Sequence, residues 1–210
     1  MTRVAVIDDH PVVREGLKRI IAEAPEFSVT AEAGDGEEAL NVIKNTPCDV
    51  VLLDITLPKK NGLEVLKRIK AEQPRLPVLV LSMHSEDEYA VRMLRAGAAG
   101  YLTKETAPTN LITAIRKVVR GGRYVSQGLA EKLAFDLQTN SDRPAHEALS
   151  DREYQIMCML SSGKTVSEIA GELSLSVKTI STYRVRVLEK LHMKNNAELT
   201  RYALKQGLVA

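Results

Sequence analysis

The chain has 210 residues, 44% of them apolar and 27% charged, with a net charge of +2, the composition of a folded protein with one large core or two modest ones. No apolar run approaches the roughly 18 residues of a membrane span. The N-terminus lacks a signal-peptide pattern, and Cys48 and Cys158 read as two buried thiols of a reducing cytoplasm, so secreted, collagenous, disordered and membrane-spanning classes are excluded.

The first 120 residues alternate two periods. Short β-branched runs at 4–8, 28–33, 49–54, 77–82 and 100–104 predict strands. Helix-length stretches with apolar spacing near 3.6 lie between and after them, at 12–23, 36–45, 61–73, 86–95 and 109–120. The strand runs lack in/out alternation, as expected for strands buried on both faces. The predicted fold is α/β: a doubly wound, five-stranded parallel sheet in the flavodoxin-like order. After the glycine pair at 121–122 the periodicity breaks, and 136–147 is polar with Pro144. Residues 122–147 are therefore assigned to a linker region.

Residues 148–210 read as a second, smaller, all-α domain of four helices, near 151–161, 166–173, 177–191 and 196–206. Capping boxes start at Ser150 and Thr165, Asn195 and Glu198 offer a third start, and Gly163 and Gly207 fall at helix ends. The middle two helices are only a few residues apart, which is helix-turn-helix spacing.

Charge is uneven. Residues 1–121 hold 17 basic and 17 acidic side chains, whereas 176–205 holds seven basic against two acidic, which points to an anionic partner for the second domain.

The C-terminal ends of parallel strands share one sheet edge, where open α/β sheets bind ligands. Asp8 and Asp9 end the first predicted strand, Asp54 the third, Ser82 the fourth and Lys104 the fifth. Three carboxylates at one edge repel one another unless a cation is present, and a hard, oxygen-seeking ion such as Mg²⁺ fits best. A carboxylate beside Mg²⁺ can attack phosphorus to form an aspartyl phosphate, whose oxygens Lys104 and Ser82 would pair with. His10 and His84 lie near this edge and read as loop residues that shape access. No Walker A, GxGxxG, HExxH or GxSxG string is present.

The segments IDDHP, LLDITLPKKNG, LSMHS and GAAGYLTK, in that order, resemble the receiver domain of two-component response regulators over about residues 3–121. The resemblance implies Asp54 as phosphoacceptor, Asp9 and Asp8 as metal carboxylates, and Thr56 as the backbone carbonyl completing the metal site. It also implies Ser82 and Lys104 as phosphoryl partners and Tyr101 as the aromatic switch. Many receivers follow the lysine with proline; Glu105 stands there, and the geometry of the Lys104–Glu105 peptide is left open.

In the third helix of the second domain, Val177, Ile180, Val187, Leu188 and Leu191 fall on one face. Lys178, Ser181, Thr182, Val185 and Glu189 fall on the other, with Arg186 at its margin. Short hydroxyl side chains permit close approach to base edges, Val can meet a thymine methyl, and flanking bases can neutralise phosphates. Residues 149–210 resemble the LuxR-type helix-turn-helix domain, so that the whole chain resembles a NarL/FixJ-type response regulator. The expected DNA-contacting set is Lys178, Thr179, Ser181, Thr182, Tyr183, Val185 and Arg186. Arg184 stands where the family often has an aliphatic residue; it either reaches a phosphate or pairs with an acid.

The resemblance implies a cytoplasmic transcription regulator. A sensor histidine kinase phosphorylates it on an aspartate, and it binds double-stranded DNA as a homodimer, with RNA polymerase a further partner and no membrane association. Enzymatic activity is expected to be at most slow self-phosphorylation and self-dephosphorylation. The alternatives are a Mg²⁺-dependent phosphotransferase or phosphatase, for which no substrate domain is evident, and a DNA-binding protein indifferent to phosphorylation.

Overall fold

A computed structural model describes residues 1–83, 86–131 and 144–209. The chain divides into two compact units, Met1–Glu131 and Lys132–Ala210.

The first unit runs β1 (Thr2–Ile7), α1 (Pro11–Ala22), β2 (Phe27–Ala33), α2 (Gly36–Asn45), β3 (Val50–Asp54), α3 (Gly62–Glu72), β4 (Val78–Ser82), α4 (Glu86–Arg95), β5 (Gly100–Thr103) and α5 (Ala107–Val119). The sheet is parallel, in the order β2-β1-β3-β4-β5, with Leu53 paired to Ile7 and Val80 and with Val80 beside Tyr101. All five residues of β3 and all five of β4 are buried, which is why their sequences show no alternation. Val4, Val6, Val50, Leu52, Leu79, Leu81 and Leu102 pack against Leu17 and Ile21 of α1 and Leu111, Ile115 and Val118 of α5. The opposite face is covered by α2, α3 and α4. Burial on both sides pins the strand register, and with it the positions at which the strand ends present their side chains.

Two expectations are corrected here. Residues 122–131 do not belong to a linker: they fold with the first unit. Tyr124 exchanges backbone hydrogen bonds with β5, its N–H donating to Ala99 at 3.0 Å and its carbonyl accepting from Tyr101 at 3.0 Å. Leu129 is buried as well. Gly100 permits this approach, since a Cβ there would lie 2.5 Å from the Tyr124 carbonyl oxygen. Composition missed the segment because one tyrosine and one leucine carry its attachment. The second correction concerns Cys48, which is half-buried rather than buried; Cys158 is buried, and both are thiols. Of the polar stretch 136–147, residues 136–143 lie outside the described residues.

The second unit opens with a 3-10 turn at Ala145–Ala148, where the His146 N–H donates to the Tyr202 hydroxyl at 3.3 Å and its Nδ1 lies 3.0 Å from the same oxygen. Four helices follow: α6 (Asp151–Ser161), α7 (Val166–Glu172), α8 (Val177–Lys190) and α9 (Asn196–Lys205). Both predicted capping boxes are formed, by Ser150 with Glu153 and by Thr165 with Glu168, and Asn195 caps α9 by accepting from Glu198 N. Gly163 and Gly207 take φ of 88° and 62° just past the ends of α6 and α9, the left-handed conformation that terminates helices. Glu153 also accepts from Lys190 Nζ at 2.6 Å, tying the start of α6 to the end of α8.

Candidate functional site

The C-terminal edge of the sheet gathers the five residues expected there. Asp54 is the last residue of β3 and Ser82 the last of β4; both are buried. Asp8 and Asp9 follow β1, and Lys104 follows β5. Lys104 Nζ lies 2.6 Å from Asp54 Oδ2 and 2.7 Å from Asp8 Oδ2, and its own N–H donates to the Ser82 carbonyl at 2.7 Å. Asp54 Oδ1 accepts from Thr56 N at 3.1 Å. Asp8 is held from behind: its N–H donates to Ala33, its carbonyl accepts from Arg14 Nη1 at 2.6 Å, and its Oδ1 accepts from His10 N at 2.9 Å. The Lys104–Glu105 peptide is trans.

Burial is the largest influence on Asp54 and, with Asp8 adding repulsion, outweighs the attraction of Lys104, pushing its carboxyl up to about 6. Lys104 loses hydration too, but Asp54 and Asp8 hold its ammonium above the usual lysine value.

The three carboxylates of this edge suit a hard divalent cation. One oxygen from each of Asp8, Asp9 and Asp54, with a ring nitrogen of His10, lies within 4.8 Å of all the others. Asp8 Oδ2 and Asp9 Oδ1 are buried and accept no hydrogen bond. Their close contacts, to Lys104 and to His10, are at ion-pair distance but off the hydrogen-bonding directions. Such oxygens retain lone pairs for a metal.

Tyr101 is fully buried on the sheet face away from α1 and α5, beside Val80. Three contributors escaped the sequence reading. Gly62, at the start of α3, packs so closely that a Cβ would run into the Asp54 carbonyl oxygen; the glycine in LPKKNG was the available signal. Arg14 lies one turn inside α1 and gave none. His10 was placed near the edge, but its ring reaches into the cluster, as its adjacency to Asp8 and Asp9 allows. His84 lies outside the described residues.

On α8, Lys178, Ser181, Thr182, Val185, Arg186 and Glu189 form an exposed face, with Val185 48% exposed. Ser176 caps the helix by accepting from Thr179 N at 3.1 Å, and its hydroxyl meets that of Thr179 at 2.8 Å, so Thr179 is half-buried and engaged locally. Tyr183 is half-buried, with the Arg186 guanidinium 6.0 Å from its ring centre. Within the second unit Arg184 meets an amide rather than an acid: its Nε donates to Asn196 Oδ1 at 2.7 Å. Val177 corrects the predicted faces. It is 51% exposed, whereas Ile180, Val187, Leu188 and Leu191 are buried. As the first helical residue its Cβ tilts back over the preceding turn, away from the packed helices.

This fold and edge define a phosphoacceptor receiver joined to a helix-turn-helix reader. Residues 4–116 match the family described as response regulator receiver domain, and residues 147–203 match bacterial regulatory proteins, luxR family. The chain belongs to the NarL/FixJ-type response regulators, in which phosphorylation controls DNA binding and transcription. It is 40% identical to the response regulator GacA of Pseudomonas protegens over 210 residues, covering 100% of this chain and 98% of that one. Against the response regulator UvrY of Escherichia coli (strain K12), identity is 36% over 209 residues, with 99% and 96% covered. In structure it resembles RcsB from Salmonella enterica serovar Typhimurium, bound to promoter rprA in the presence of phosphomimetic BeF3−. There the TM-score is 0.65 and the identity 26%, over 96% of this chain and 97% of that one.

Proposed function

We propose that Asp54 is the phosphoacceptor and that its modification governs sequence-specific DNA binding through α8. The observation that carries this is the placement of Asp54, buried at the end of β3 between the Lys104 ammonium and the Thr56 N–H, with Asp8 sharing the same lysine. A carboxylate oxygen of Asp54 attacks the phosphorus of a phosphohistidine on the sensor kinase. The P–O bond forms as the P–N bond breaks, and the imidazole leaves with that electron pair. Asp8, Asp9, Asp54 and the Thr56 backbone carbonyl would hold Mg²⁺, which when bound supplies charge neutralisation for the carboxylates and the incoming phosphoryl oxygens.

Phosphorylation of Asp54 converts the carboxylate that Lys104 now pairs with into an acyl phosphate, so the ammonium turns to a phosphoryl oxygen. The Ser82 hydroxyl moves to another, and Tyr101 follows into the space it leaves. Slow phosphorylation from small phosphodonors and slow self-dephosphorylation belong to the same reading, because both use only groups of this edge.

The first unit then acts as the receiver and residues 148–210 as the DNA-binding domain, joined through the polar sequence around 136–143. Ser181, Thr182 and Val185 face bases, Lys178 and Arg186 hold phosphates, and Thr179 and Tyr183 support the face from its flank. Pairing of two copies on DNA draws support from RcsB, whose structures include dimers bound to DNA. A cytoplasmic location, with access to kinase and RNA polymerase, agrees with the two thiols.

Incubation with a small phosphodonor, read by intact mass, tests the assignment. One phosphoryl group should add to the wild type in Mg²⁺ and none after Mg²⁺ is chelated or in Asp54→Ala. Labelling that survives in Asp54→Ala, or that needs no divalent ion, contradicts it.

A further inference from the structure

The turn after β1 places an imidazole inside a carboxylate cluster, a donor that a magnesium site does not need. His10 Nδ1 lies 2.7 Å from Asp9 Oδ1 and 3.3 Å from Asp8 Oδ1, and the four-residue set that includes it spans no more than 4.8 Å. Ligands about 2.0–2.2 Å from a first-row transition cation stand roughly 3 Å from their neighbours around it, so Nδ1 is spaced as a member of one coordination shell. Its backbone is fixed at that place. The His10 N–H donates to Asp8 Oδ1 at 2.9 Å, its carbonyl accepts from Arg14 N at 3.1 Å, and Pro11 opens α1 directly after it. The ring makes no capping bond to the helix and its side chain is 61% exposed. A cation bound in the cluster would take the Nδ1 lone pair, leaving the ring proton on Nε2.

We infer that His10 is a fourth side-chain ligand at the Asp8–Asp9–Asp54 cluster and makes it select first-row transition cations such as Co²⁺, Ni²⁺ and Zn²⁺ over Mg²⁺. The inference rests on the reading of this cluster as a divalent-cation site. Mg²⁺ takes oxygen ligands and keeps several waters, so it gains little from a ring nitrogen. Imidazole suits the later transition metals, whose affinity for a mixed nitrogen and oxygen site rises along the first row. The same carboxylates then serve two classes of cation, and a transition ion bound there competes with Mg²⁺ for the phosphoacceptor.

The test measures binding to the full-length protein, Co²⁺ by its visible absorption and Mg²⁺ by calorimetry. Asparagine is a good helix N-cap, so His10→Asn preserves the start of α1 while removing the imidazole. His10→Asn should weaken Co²⁺ binding on the order of tenfold or more and alter the Co²⁺ spectrum, leaving Mg²⁺ affinity unchanged. His192→Asn, at an exposed histidine of the second unit, should change neither. Co²⁺ binding indifferent to His10→Asn, or an equal loss for both ions, overturns the ligand role. If the wild type binds no Mg²⁺, or binds it undiminished in both Asp9→Asn and Asp54→Asn, the metal site itself is wrong and the inference falls with it.

Discussion

Asp54 is held in a conflict of two physical effects. Burial disfavours its charge, while Lys104 and the Thr56 N–H favour it. The sequence placed Asp8, Asp9, Asp54, Ser82 and Lys104 at this edge because strand ends are fixed by register, which periodicity reveals. Side-chain reach is another matter. That the His10 ring turns toward Asp9, or that Arg184 meets an amide of α9, depends on rotamers and on residues distant in the chain, and neither leaves a trace in spacing. At the other end of the sheet, Asp49 accepts from Arg3 Nε at 3.1 Å, Nη2 at 2.8 Å and backbone N at 2.8 Å, which draws its carboxyl down to about 2. A depressed pKa stabilises the fold above the unfolded value, near 4, and the gain is lost as pH falls toward 2. Both side chains are more than a third exposed, so Asp49→Asn should cost no more than about 1 kcal/mol at pH 7. The gap between the thermal midpoints of wild type and variant should close between pH 4 and pH 2; a gap constant with pH contradicts the pairing.

Elements were the most legible level. Strands buried on both faces and helices with an apolar stripe write two distinct periods, and the boxes at Ser150–Glu153 and Thr165–Glu168 mark helix starts to the residue. The failures were short pieces held by one or two contacts, Tyr124 on β5 and Val177 at the mouth of α8. The exposed face of α8 carries its own prediction. Thr182→Ala should cost about 1–3 kcal/mol on the preferred DNA and relax preference at one base position. Lys178→Ala should weaken binding to every sequence and lower the salt slope by about one. Titration of both variants against matched and mismatched duplexes separates the roles. Unchanged affinity and preference in Thr182→Ala would mean that another face of α8 meets the bases.

At the scale of the whole molecule, two self-contained units divide the labour, and two family matches fall one on each. Charge differs along the sequence in the same sense, a neutral front and a basic stretch at 176–205. Composition and charge did not place the seam, since attachment of 122–131 to β5 runs through backbone hydrogen bonds that composition does not encode. The α8 cap and its buried apolar side chains lie wholly within the second unit, so on the proposed reading a signal that begins at Asp54 is expected to free or pair DNA-binding domains rather than refold the helix. The most direct measurement is DNA affinity of the full-length protein before and after treatment with a phosphodonor in Mg²⁺, for the wild type and Asp54→Ala. The wild type should bind its selected DNA more tightly once phosphorylated, while Asp54→Ala should show one affinity throughout. Wild-type binding indifferent to the phosphodonor, or a gain that persists in Asp54→Ala, would contradict control of the DNA-binding unit by Asp54.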